Sequence, residues 1–103
     1  MNLLTRVSFL AAFSLIAACG KNATSPIEVS LGEKIGFPAV FLEAITDNVK
    51  IEDFQINRGN CNHSSQQLPA DLVFGRRLEI MAFGCNVKEV SVKTDHGDFT
   101  YSF

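Results

Sequence analysis

Five side chains of this 103-residue chain are suited to reactive or ligating chemistry: Cys19, Cys61, Cys85, His63 and His96. Cys61, His63, Cys85 and His96 could supply the four ligands of a zinc ion. The spacing argues against it: there is no Cys-x-x-Cys pair, and the histidines stand far apart. No metal and no cofactor is expected. Nor is a redox-active thiol pair, which would want closely spaced cysteines. Ser64 and Ser65 follow His63 directly and do not form a nucleophile–base–acid set. Ser30, Ser91 and Ser102 lack the strand–turn–helix setting of an activated serine. Asp95 and Asp98 flank His96 and Gly97, and a hairpin turn accounts for all four. No glycine-rich phosphate loop is present. The chain reads as a protein without catalytic machinery.

The first 18 residues, MNLLTRVSFLAAFSLIAA, carry a different signal. Arg6 and the amino terminus supply positive charge, and Val7–Ala18 is an uncharged apolar run. Its length suits the central region of a secretion signal and is too short to span a bilayer as a helix. Leu15-Ile16-Ala17-Ala18-Cys19 resembles the lipobox of bacterial lipoproteins, with an aliphatic residue three before the cysteine and two small residues between. The resemblance implies a diacylglyceryl group on the Cys19 sulfur, cleavage before Cys19 and acylation of the new amino terminus. Each buried methylene contributes about 0.8 kcal/mol, and stable attachment needs more than one acyl chain. Gly20, rather than Asp, follows the cysteine. In Gram-negative lipoproteins this implies sorting to the outer membrane, on its periplasmic or surface face.

This divides the chain into a signal peptide (1–18), a lipidated amino terminus with a short polar tether (19–26) and one small domain (27–103). The tether, Lys21 to Pro26, reaches about 20 Å at most. With Cys19 committed to lipid in an oxidising compartment, Cys61 and Cys85 are left as one possible disulfide. It would close a loop of about 25 residues and contribute about 3–4 kcal/mol. Such a staple suits a domain whose core is thin.

The domain reads as all-β, mainly antiparallel: a small sandwich or open barrel of six or seven short strands, with one disulfide and a C-terminal hairpin. Ile27, Val29 and Leu31 alternate with polar residues up to Gly32. Pro38–Ile45 is an apolar run that fits either a buried strand or one helical segment. Val49 and Ile51 alternate, then Phe54 and Ile56 continue on the opposite parity, which predicts a bulge or a short break at Glu52-Asp53. Residues 57–71 form a polar loop. Leu72–Phe74 and Leu78–Ala82 read as further strand separated by Gly75-Arg76-Arg77. Val90 and Val92, the turn Asp95–Asp98, and Phe99, Tyr101 and Phe103 form the hairpin. Its aromatic alternation resembles the last strand of outer-membrane barrels, but eight strands of about ten residues would leave no chain for loops.

Candidate partner-binding residues are Arg58, Asn60, Asn62 and His63 in the polar loop, and Arg76 and Arg77 in the later turn. A solvated loop or turn is the commoner use of such residues. The net charge is -2, or -3 once Arg6 leaves with the leader. That balance argues against nucleic acid and against a polybasic membrane-surface binder. The chain is therefore expected to bind the membrane through Cys19 and to act as a small protein-binding module of the cell envelope. Lipoproteins of similar layout occur in secretion, conjugation and exclusion systems, where a structural subunit is the alternative role. Others inhibit host lysozymes, but this chain has no Trp and lacks their Cys and Gly motifs.

Overall fold

The computed structural model describes residues 24–103. The leader, Cys19 and the first part of the tether lie outside the described residues. Eight strands run in chain order: β1 (Ile27–Lys34), β2 (Phe37–Ala44), β3 (Asn48–Ile56), β4 (Asn62–His63), β5 (Ala70–Val73), β6 (Arg77–Phe83), β7 (Glu89–Thr94) and β8 (Gly97–Ser102). They form two antiparallel sheets of four strands, ordered β1-β2-β6-β4 and β5-β3-β7-β8. Packed face to face they make a small sandwich rather than a closed barrel, one of the two all-β forms expected from the sequence.

The apolar run at 38–45 is strand, not helix. Pairing with β1 on one side and β6 on the other satisfies its backbone groups without a helix. The count exceeds six or seven because the polar loop holds a two-residue strand, β4, which docks on β6 through Asn62–Phe83 and His63–Ala82. Beyond β4, Ser64 pairs with the Met81 backbone, its N–H donating to the Met81 carbonyl at 2.9 Å and its side-chain Oγ accepting from Met81 N at 3.0 Å. The edge of β6 is thus largely covered.

Val40, Leu42, Ala44, Ile80 and Ala82 point inward from the first sheet, and Val49, Ile51, Phe54, Ile56, Val90 and Val92 from the second. All but Phe54 are at most 1% exposed. The parity switch in β3 is a bulge: Ile51 stands opposite Thr94 and Asp53 opposite Lys93, leaving Glu52 unpaired. The extra residue returns Phe54 and Ile56 to the core. Without it every residue after Ile51 would face the wrong way.

Only the first and last connections are hairpins. Every connection from β2 to β7 crosses between the sheets. The β1–β2 turn places Ile35 at φ 52° and Gly36 at φ 82°, a left-handed pair whose twist matches the strands. In the β7–β8 turn, Thr94 Oγ1 accepts from His96 N at 2.9 Å and donates to the Gly97 carbonyl at 2.8 Å. Thr94 is buried, and these two bonds satisfy its hydroxyl. Phe99 and Tyr101 are half-buried on β8, while Phe103 stays exposed, because β8 is an edge strand. Where the chain joins β1, Ser25 is hydrogen-bonded to Tyr101. Burial pushes the Tyr101 hydroxyl above its ordinary pKa, and the Ser25 bond partly offsets that.

Candidate interaction surfaces

The polar loop is organised by Asn57. It opens a 3-10 turn, Asn57–Gly59, in which Asn57 and Arg58 both adopt left-handed backbone, at φ 53° and 59°. Asparagine tolerates that region better than most residues. Its Oδ1 accepts from the backbone N–H groups of Lys88 and Glu89 at 2.8 and 3.1 Å, and its Nδ2 donates to the Asn86 carbonyl at 2.9 Å. One side chain thereby ties the loop to the β6–β7 connection. The Cys61–Cys85 disulfide crosses the same gap, with Cα atoms 5.7 Å apart. The sequence-based pairing is therefore met. Cys61 is buried in the core and Cys85 packs at its margin.

This clamp occupies several of the expected partner-binding groups. Asn60 donates from Nδ2 to the Asn57 carbonyl at 3.0 Å. Arg58 reaches Glu89 Oε1 at 2.6 Å, but its side chain is 81% exposed, so the pair contributes about 1 kcal/mol at most. His63 bonds through Nδ1 to the Ser64 carbonyl at 2.8 Å. Its register places it on the inner side of the sheet with Ala82, and its ring lies 4.9 Å from that of Phe54. Asn62 points the other way, beside Phe83 on the outer face. Arg76 lies in the exposed β5–β6 turn. Arg77 bonds from Nε to Glu79 Oε2 at 2.9 Å, and its guanidinium stacks 4.3 Å above the Phe41 ring. Arg77 and the β4 region lie at opposite ends of β6, about 20 Å apart. The six candidates do not form one site.

A different surface emerges from the strand register. Phe37, Ala39 and Phe41 of β2 and Met81 and Phe83 of β6 share the outer face of the first sheet. Phe37 and Phe83 meet edge to face at 5.2 Å. Phe37 is 44% exposed, and Phe41, Met81 and Phe83 are half-buried. Gly32 of β1 lies beneath the Phe41 ring: a Cβ built there would stand 2.6 Å from it. The strip is bordered by Glu79, held between Lys34 Nζ at 2.7 Å and Arg77 Nε at 2.9 Å. The Lys34 hydrogen bond, then that of Arg77, lowers the Glu79 pKa below its ordinary value.

The outer face of the second sheet contrasts with it. Asp53, Gln55, Ser91, Lys93, Asp98 and Thr100 line a shallow, open depression of about 190 Å³. Ser91 and Thr100 share a hydrogen bond of 3.2 Å across it. Antiparallel sandwiches ordinarily show polar outer faces of this kind, so the aromatic strip on the first sheet is the exception. Sequence reading overlooked it, although the signal was present. FPAVFLEA and RLEIMAF carry apolar residues on both parities, the pattern of a strand covered on both sides. Among the described residues no group of three or more His, Cys, Asp or Glu could hold a metal ion, and no helix is long and apolar enough to cross a membrane.

Comparison with protein-family models, curated proteins and solved structures returns no match for this chain.

Proposed function

We propose that this chain is a lipid-anchored envelope module that presents the outer face of its first sheet to a protein partner. Lipid on Cys19 supplies the anchor, and Gly20 supports delivery to the outer membrane. The observation that carries the partner assignment is the aromatic strip Phe37–Phe41–Met81–Phe83, bordered by Lys34, Glu79 and Arg77. Half-buried aromatics with a charged rim have the make-up of a protein contact surface. Asn62 and Arg77, two of the sequence candidates, border this strip. The internal bonding of Asn57 and Asn60 and the packing of His63 argue for a structural role of the polar loop.

Site-specific photo-crosslinking in intact cells tests the assignment. A crosslinker replacing Met81 should capture one defined protein, and a crosslinker replacing Lys93 on the second sheet should not. Capture from Lys93 alone would refute it. Cys19→Ala should move the chain from the membrane to the soluble fraction, and membrane retention would refute the anchor. Subunit packing in an envelope assembly is favoured by one feature, the unpaired edge of β8 with Phe103 46% exposed beside it. Crosslinks confined to β8 would select that role.

A further inference from the structure

Outside the strip, Leu31, Ile35 and Phe103 are exposed at other points of the sandwich, and three exposed apolar residues gather on two turns beside the tether. Ile45, in the β2–β3 turn, is 44% exposed, and Val73 and Phe74, at the end of β5, are 52% and 67% exposed. Hydrogen bonds join these turns to each other and to the start of the domain. Ile45 N donates to the Pro26 carbonyl at 3.0 Å, Gly75 N to the Ala44 carbonyl at 2.9 Å, and Ala44 N to the Arg76 carbonyl at 2.9 Å. The three residues therefore flank the point where the tether meets β1. Cys19 is seven residues before Pro26, a span of about 25 Å at full extension. A domain held that closely must turn some surface toward the bilayer, and this end is the one the tether reaches first.

We infer that Phe74, with Ile45 and Val73, seats this end of the sandwich in the interfacial layer of the lipid bilayer. The inference rests on the lipid anchor proposed above. Apolar and aromatic side chains at a turn bury in the headgroup region. Arg76 stands in the same turn, exposed and without an ion pair among the described residues. It is placed to meet lipid phosphate. The nearby turns also carry Asp47, Asp95 and His96, the last bonded from Nε2 to the Asn48 carbonyl at 2.9 Å. Arg76 is set against two aspartates, so apolar contact drives the seating and a phosphatidylcholine bilayer suffices. The Phe37–Phe83 end of the aromatic strip is held away from the surface, since Phe37 lies seven residues along β2 from Ala44, about 23 Å.

The chain has no tryptophan, so one can be introduced as a sole reporter. The full lipidated chain carrying Phe74→Trp, Ile45→Trp or Phe37→Trp would be reconstituted into vesicles of brominated phosphatidylcholine. Circular dichroism checks that each variant folds, and mass spectrometry checks the lipid on Cys19. The Phe74→Trp and Ile45→Trp reporters should shift to the blue and lose most of their emission, while Phe37→Trp keeps its own. Having two reporters at the seated end guards against one variant failing to fold. If both are quenched no more than Phe37→Trp in a lipidated chain, the seating is refuted and the anchor stands. A chain without lipid on Cys19 refutes the anchor, and the seating with it.

Discussion

Reducing the Cys61–Cys85 disulfide should remove a large part of the stability of the domain. The two residues are 24 apart in sequence. Loop-closure entropy for about 25 residues corresponds to about 3.5 kcal/mol at 25 °C. A domain of 80 described residues has a total stability of about 4–12 kcal/mol. The staple therefore supplies a third or more of the total in most of that range. Near the lower end, the reduced domain would stand close to its unfolding midpoint. The expected fall in Tm is about 14–28 °C, taking about 4–8 °C per kcal/mol for a domain of this size. The measurement is urea unfolding of a Cys19→Ala chain, which holds only these two cysteines, with and without reductant. Reduction isolates the cross-link, whereas Cys61→Ala/Cys85→Ala also removes the core contacts of Cys61 and should cost somewhat more. A loss under about 1 kcal/mol on reduction would refute the entropic account. Two titratable thiols in the unreduced chain would refute the bond itself.

Ile80→Ala should cost about 2–5 kcal/mol in the same urea assay, since Ile80 is fully buried between the sheets; a loss below about 1 kcal/mol would mean the core is not packed as described. Gly32→Ala should cost about 1–3 kcal/mol by displacing the Phe41 ring, and adding Phe41→Ala should recover part of that loss; strict additivity would count against the contact. Asn57→Ala leaves the N–H groups of Lys88 and Glu89 without their acceptor and should cost about 1–3 kcal/mol, while Asn57→Asp, which keeps an acceptor oxygen, should cost less. The Glu79 contribution should be fully present above its ordinary pKa of 4.5 and lost as pH falls through its lowered value. Unfolding measured across the acid range should show a shallower decline in Glu79→Gln, and an unchanged acid limb would exclude the Lys34–Glu79–Arg77 network as its source.

Local pattern was enough for some features. Alternation at Ile27–Leu31, Val90–Val92 and Phe99–Phe103 marked strands because a half-buried strand must repeat every second residue. The parity switch after Ile51 marked the bulge for the same reason, since only an extra residue brings Phe54 back to the core. The Cys61–Cys85 pair followed once Cys19 was set aside, there being no other thiol to join. Two elements were ambiguous locally. The run at 38–45 matched strand and helix equally, and pairing with β1 and β6 decided it. The polar loop gave no sign of β4, because Asn62 and His63 become strand only through their register on β6.

The surfaces depended on tertiary structure in a stronger sense. Arg58, Asn60 and His63 are exposed, as polar loop residues usually are, but each also has a partner within the chain. In the folded chain Asn57 and the disulfide draw the loop onto the β6–β7 connection, and much of that polarity is used internally. Phe37, Phe41, Met81 and Phe83 drew no notice in the sequence, being apolar residues in or beside apolar runs. Their outward placement follows from which residues of β2 and β6 stand opposite each other. The amino-acid sequence by itself determined that the domain is a disulfide-stapled β fold, since period and thiol count are properties of the chain alone. Only the tertiary structure decided which apolar residues lie between the sheets and which lie outside, because that depends on pairing between segments some forty residues apart.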